Sequence, residues 1–171
     1  KSCFDSDCKV YPFLAVNYIT APPRMALYMA YSRRVYEVYL EFVSKEDIHV
    51  YSVDEVFMDL KPYERIYQKS SRALAEEICR RVYEEVGMIA TVGLGENLYL
   101  AKVAMDIEAK HMQASKEGIR LAMLTEQSYR ESLWQHKPLH DFWRIGRGIE
   151  NRLAHYGIYT MGDIAMAALS G

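Results

Sequence analysis

Two adjacent carboxylates, Asp54 and Glu55, stand in the stretch YSVDEVFMDL at residues 51–60, among apolar and aromatic neighbours. An ionised carboxylate in an apolar setting is costly unless something positive offsets it, so a cation is the first partner to look for. Side chains alternate faces along a strand, and neighbouring carboxylates converge on one point only where the strand bends or ends. Hard cations such as Mg²⁺ take oxygen ligands, commonly one or two carboxylates plus substrate phosphates. Phosphoryl-transfer sites use two such ions to hold the attacking and leaving oxygens. The competing reading is a solvated turn. The tight flanks VYSV and VFMDL argue against it, and Asp59 reads as a strand-end residue.

Lys102 is the second chemical residue. It falls off the apolar stripe of its helix and close to that helix's start, and a lysine beside a helix N-terminus suits phosphate oxygens. The alternative is a solvated lysine paired with Asp106 at i+4. A third candidate is RIGRGIENRLAHYGI at residues 144–158, with Gly146 and Gly148 at the start of an apolar helix. Exposed amides there, with Arg147 and Arg152 adding charge, would hold a DNA phosphate without reading sequence. The alternative is an interhelical turn with Ile145, Ile149 and Leu153 in the core.

These residues need a frame. Residues 1–22 read as irregular, closed by Pro22-Pro23. Tyr28, Tyr31, Val35, Val38 and Phe42 recur at helical spacing, which predicts a helix over 24–43 with its tyrosines in the core. Residues 48–53 and 56–60 read as a hairpin with Asp54 and Glu55 at its bend. Ser70-Ser71 caps a helix with the stripe Leu74, Ala75, Ile78, Val82 and Val86, ended by Gly87, and Cys79 beside that stripe is expected to be buried. Residues 88–94 form a strand, and Gly93 and Gly95 turn the chain into a helix carrying Leu100, Val103, Ala104 and Ile107. GIRLAML is a last strand. The order predicts an α+β layer, one mostly antiparallel sheet with helices on one face, followed after Leu124 by a small all-α helix-hairpin-helix unit.

Composition bounds the rest. The chain has 171 residues, half of them apolar, and a formal net charge of −2, which argues against binding nucleic acid through bulk positive charge but leaves room for a local basic patch. Three cysteines without a CxxC pair fit a reduced, cytoplasmic protein. No apolar run approaches the ~18 residues of a membrane span, and no signal-peptide pattern opens the chain. His49, His136, His140 and His155 have no metal-site spacing with Cys. The start at Lys1 without Met and the apolar stop at AMAALSG suggest a piece of something longer.

Ser52-Val53-Asp54-Glu55 with Phe57 and Asp59 resembles the S-x-D-E-x-[FY]-x-D segment of the Y-family translesion DNA polymerases, the UmuC, ImpB, MucB and SamB group. PPRMALYMAYSRRVY resembles the helix before the catalytic hairpin, TVGLGENLYLAKVAMDIEAKH the G-[IL]-[GS]-x-N-x-x-[LF]-A-K-x-A motif, and DFWRIGRGIENRLAHYGIYTMGDIA the thumb. The four run in the family's order over roughly residues 20–166.

The resemblance implies a remnant of the fingers at 1–22, palm at 23–124 and partial thumb at 125–171. It implies two Mg²⁺ ions in the intact protein, held in part by Asp54 and Glu55, with Lys102 on the triphosphate of a dNTP. It also implies primer-template DNA contacts at Gly146, Arg147, Gly148 and Arg152. A sliding clamp or recombinase would be engaged through parts outside this chain, and no membrane is involved.

Leu98 stands where many relatives carry a second lysine after the Asn, so this chain does without it. FDSDC at residues 4–8 echoes the D-x-[DN]-x-F motif of the first catalytic Asp, but too few residues follow for the fingers, and it reads as a loop. Without that Asp region the 171 residues are expected not to polymerise and to hold Mg²⁺ weakly. The alternatives are a damaged-DNA-binding or scaffolding module that has lost its chemistry, or a nucleotide cyclase, in which a helix-hairpin-helix would be out of place.

Overall fold

A computed structural model describes residues 5–14, 19–115 and 118–170. Helices α1 (Asp5–Val10) and α2 (Met25–Leu40) precede strands β1 (Ile48–Val50) and β2 (Val56–Met58). Helices α3 (Tyr63–Tyr67) and α4 (Ser71–Val86), strand β3 (Thr91–Gly95), helix α5 (Leu98–Val103) and strand β4 (Arg120–Leu124) follow. The chain then continues through α6 (Glu126–Leu133), α7 (Arg147–Ala154) and α8 (Met161–Ser170). Helix and strand are mixed up to Leu124, and the described residues after it are helical or irregular.

The expected single antiparallel sheet is not what forms. β1 pairs antiparallel with β2, while β3 pairs with β4 in parallel, register Thr91↔Arg120 to Gly95↔Leu124. The cause is the connection: a helical crossover through α5 returns the chain to the same end of the sheet, as parallel neighbours require. The irregular reading of residues 1–22 also changes, since Asp5–Val10 is a short helix that includes Asp5 to Cys8 of the FDSDC echo; Phe4 lies outside the described residues.

α4 follows its local signals. The Ser70 hydroxyl accepts from Ala73 N, Gly87 closes the helix at φ +74°, and Leu74, Ala75, Ile78, Cys79 and Val82 are buried. Leu74, Ala75 and Ile78 pack with Val43, Ile48, Leu60 and Leu121 in one core cluster, where each fully buried aliphatic side chain contributes about 2 kcal/mol. α2 buries Val38, but Tyr28 and Tyr31 are 46% and 37% exposed, against the expected core role. α4 packs against α2, and Tyr39 of α2 packs against the core cluster, its hydroxyl pushed up to about 12 by burial.

Gly93 and Gly95 do a different job from the one read in sequence. Neither has a left-handed φ; instead a Cβ on Gly93 would lie 2.0 Å from Ala101 O, and one on Gly95 2.3 Å from Ala101 N. They let β3 lie directly on α5. Asn97, not the glycines, starts α5, its side chain accepting from Leu100 N at 2.9 Å. Beyond Val103 the helix widens into a π-turn over Ala104–Glu108, where Ala109 N–H donates to Ala104 O, and both alanines are fully buried. Leu100, Val103, Leu124, Tyr129, Leu133, Leu139 and Phe142 form a second core cluster around these alanines.

Candidate active site

The hairpin delivers the two carboxylates, though its strands are shorter than predicted. Pairing ends at Val50↔Val56, and Tyr51 N and Ser52 N both donate to Glu55 O, at 3.0 and 3.1 Å, closing a loop over residues 51–55. The apolar flanks are not buried: Val50, Tyr51 and Val53 are 56%, 43% and 41% exposed. This two-stranded sheet has no further strand beside it among the described residues, so its outer positions face solvent. Asp54 is exposed, and the Ser52 hydroxyl donates to its Oδ1 at 2.7 Å. Asp59 lies just past β2, as expected, and its Oδ1 accepts from Lys61 N.

Glu55 turns inward. Both its oxygens accept from Lys102 Nζ at 2.7 Å, across 47 residues of sequence. Lys102 is 6% exposed, contrary to its position off the apolar stripe, because the hairpin loop covers its end of α5. Asp106 Oδ2 lies 3.1 Å from the same ammonium, and Lys110 Nζ lies 2.6 Å from Asp106 Oδ1. The four charges alternate in sign and sum to zero. Burial works against the Lys102 charge, but the hydrogen bonds it donates to Glu55 and then to Asp106 outweigh it and raise its pKa above the ordinary lysine value. The i+4 pairing with Asp106 exists as read, in a buried rather than a solvated setting.

Three aromatic residues complete the site. The Lys102 ammonium sits 5.7 Å from the Tyr51 ring centroid. Tyr51 meets Phe57 and Trp143 edge-on at 5.7 and 5.9 Å, and Trp143 Nε1–H donates to the Tyr51 hydroxyl at 3.1 Å. Sequence reasoning did not single out Tyr51 and Trp143. They are 92 residues apart, and no local spacing announces their contact.

Trp143 leads into the third candidate. Gly146 is the N-cap of α7, with its carbonyl accepting from Ile149 N and Glu150 N and no side-chain cap. Gly146, Arg147, Gly148 and Arg152 are all exposed, and both glycines have open space where a Cβ would be. The helical element before this turn is a 3₁₀ turn at Leu139–Asp141 rather than an α-helix, and Gly157 at φ +73° separates α7 from α8. His140 Nδ1 and Glu150 Oε2 meet at 2.6 Å, tying that 3₁₀ turn to α7, and the hydrogen bond holds the Glu150 carboxyl below its usual range. Thr160 and Asp163 cap α8 reciprocally. No helix among the described residues is long and apolar enough to cross a membrane.

The residues suited to a hard cation are Asp54 and Glu55, and no cluster of three or more His, Cys, Asp or Glu able to hold a metal occurs among the described residues. The donor set nevertheless fits a cation. Both oxygens of Glu55 are oriented onto a positive charge, here the Lys102 ammonium, and Asp54 is open beside it.

The arrangement of helices and strands is that of DinB-type DNA polymerases. DinB from Sulfolobus solfataricus superposes with a TM-score of 0.66 at 23% identity, covering 94% of this chain and 43% of that one. The insertion ternary complex of Dbh DNA polymerase gives 0.69 at 23% identity, with 94% and 42% coverage. At the level of sequence, residues 9–106 match the impB/mucB/samB family, and the chain belongs to that family.

A Bacillus subtilis protein named for UV-damage repair, UvrX, is 32% identical over 143 residues, 84% of this chain and 32% of its own length. DNA polymerase IV of Clostridium perfringens is 30% identical over 142 residues, 83% of this chain and 36% of its own. The chain thus spans about a third of the length of these curated relatives.

Proposed function

We propose that this chain is the palm and the start of the thumb of a DNA-directed DNA polymerase acting in DNA repair and translesion synthesis. The observation that carries the reading is the junction of Glu55 and Lys102, which brings the S-x-D-E and A-K-x-A motifs of a family member into one site. The names of the relatives, a UV-damage repair protein and DNA polymerases IV, support the same class.

In this reading a primer 3′-hydroxyl attacks the α-phosphate of a deoxynucleoside triphosphate. A new O–P bond forms at the α-phosphorus, the α–β phosphoanhydride bond breaks, pyrophosphate leaves, and the hydroxyl proton passes to solvent. Asp54 and Glu55 would hold Mg²⁺, which would supply charge neutralisation at the attacking and leaving oxygens. Lys102, released from Glu55, donates to the triphosphate and offsets its charge. The amides at the start of α7, with Arg147 and Arg152, hold a DNA phosphate, and the Gly146-x-Gly148 turn between the Leu139–Asp141 3₁₀ turn and α7 acts there as the hairpin of the helix-hairpin-helix. By themselves these 171 residues bind Mg²⁺ weakly and do not extend a primer, because two carboxylates make an incomplete two-metal site.

Primer extension by the protein at its full natural length, with Asp54→Ala beside it, tests the reading. Template-directed extension that disappears with Asp54→Ala is expected. Extension indifferent to that substitution would sink the metal assignment, and no extension at all would favour a scaffolding role.

A further inference from the structure

Trp143 has neither a charge nor a place among the residues so far given chemistry, yet it joins the two halves of the site. Phe142 beside it is 1% exposed and anchored in the core, which fixes the backbone at the base of the indole. Arg144 adopts a left-handed φ of +68°, and its guanidinium lies 4.8 Å from the Trp143 ring centroid. A non-glycine residue held at positive φ needs surroundings that compensate, and the cation over the indole is such a compensation. The indole meets Tyr51 edge-on and Phe57 at a tilt, and its N–H donates to the Tyr51 hydroxyl at 3.1 Å. Tyr51 closes the 51–55 loop through its own N–H to Glu55 O at 3.0 Å and lies under the Lys102 ammonium. Three residues beyond Trp143, Gly146 starts α7.

We infer that Trp143 is a positioning residue that acts through Tyr51: it sets the loop carrying Asp54 and Glu55, and the Tyr51 ring beneath Lys102, relative to the start of α7. This rests on the polymerase reading above. A ring carried on backbone anchored by the buried Phe142, and tied at its N–H to the Tyr51 hydroxyl, transmits its position to Tyr51. Loss of the indole N–H therefore loosens Lys102 and Glu55 without removing any group that touches nucleotide or DNA.

The test is single-nucleotide insertion by the protein at its full natural length, comparing Trp143→Phe, Tyr51→Phe and the double variant, with primer-template affinity read by fluorescence anisotropy. Each single variant is expected to lower kcat/KM for the incoming nucleotide roughly fivefold, the effect of one lost hydrogen bond. DNA affinity should change by less than about twofold, a split that general damage to the fold would not produce. Because Trp143 acts through Tyr51, the double variant should be no worse than either single one. Both substitutions keep an aromatic ring, and thermal melting of each variant identifies any loss of fold. Absence of insertion by the unsubstituted protein would overturn the polymerase reading and this inference together. Normal insertion with silent single variants, or with effects that multiply in the double variant, would overturn the inference and leave the polymerase reading standing.

Discussion

Replacing Gly95 by Ala tests directly why a glycine stands at the end of β3. The added methyl would lie 2.3 Å from Ala101 N, 2.6 Å from Leu100 C and 2.7 Å from Leu100 Cβ, whereas ordinary contact begins near 3.4 Å. None of these atoms can rotate away, so β3 and α5 must separate by about 1 Å. Overpacking of a well-filled site costs roughly 1–3 kcal/mol, and a backbone obstacle puts Gly95→Ala at the upper end, about 3 kcal/mol. In a chain of this size that lowers the melting midpoint by roughly 6–12 °C.

Two other glycines serve as controls for the same substitution. Gly87 has free space but φ +74°, and Gly87→Ala should cost about 1 kcal/mol. Gly146 has free space and an ordinary φ of −93°, and Gly146→Ala should cost less than about 1 kcal/mol. Urea unfolding followed by circular dichroism ranks the three. A Gly95→Ala protein within about 0.5 kcal/mol of the original would refute the close-approach argument, since changes that small belong to unconstrained surface positions.

Lys102→Met should destabilise by about 2 kcal/mol, less than a fully buried pair would lose because the Glu55 and Asp106 side chains are 24% and 21% exposed. Glu55→Gln should cost less, because Lys102 keeps Asp106; equal costs in urea titrations would contradict the network described. The Glu64 carboxyl is held down at about 2 by hydrogen bonds from Lys61 and from the Ser71 backbone and hydroxyl. Its contribution is therefore complete above the unfolded glutamate value near 4.5 and is lost as pH falls toward 2. Glu64→Gln should flatten the melting profile across that window. Arg147→Ala and Arg152→Ala should each reduce the salt dependence of DNA affinity by about one unit in log–log slope, which fluorescence anisotropy at several salt concentrations measures.

Local signals carried much of the fold. Ser70 and Gly87 bound α4 where capping chemistry says they should, and the stripe from Leu74 to Val82 is its buried face. The hairpin with its carboxylates at the bend was legible as well, since alternation and turn residues are short-range properties. Long-range placement was not. Lys102 reads as surface because its helix alone is visible in sequence, and burial comes from a loop 47 residues away. Tyr28 and Tyr31 read as core because helical spacing reports a face but not whether anything covers it. The parallel pairing of β3 with β4 followed from the crossover, which gives no sign in either strand. Gly93 and Gly95 read as turn glycines, because a glycine needed for close approach looks the same in sequence as one needed for a turn.

The π-turn over Ala104–Glu108 also sets how this helix responds to changes in length. The two fully buried alanines, Ala104 and Ala109, stand five positions apart, whereas a regular α-helix would bring Glu108 over Ala104. The wide turn holds one residue in reserve. Deleting Met105 lets the segment rewind to α-helical pitch with Ala104 and Ala109 still facing the core and Asp106 still between Lys102 and Lys110. Inserting one residue has no such outlet and turns Ala109 off the core. The segment is therefore asymmetric toward insertion and deletion, tolerant of one residue fewer and intolerant of one more.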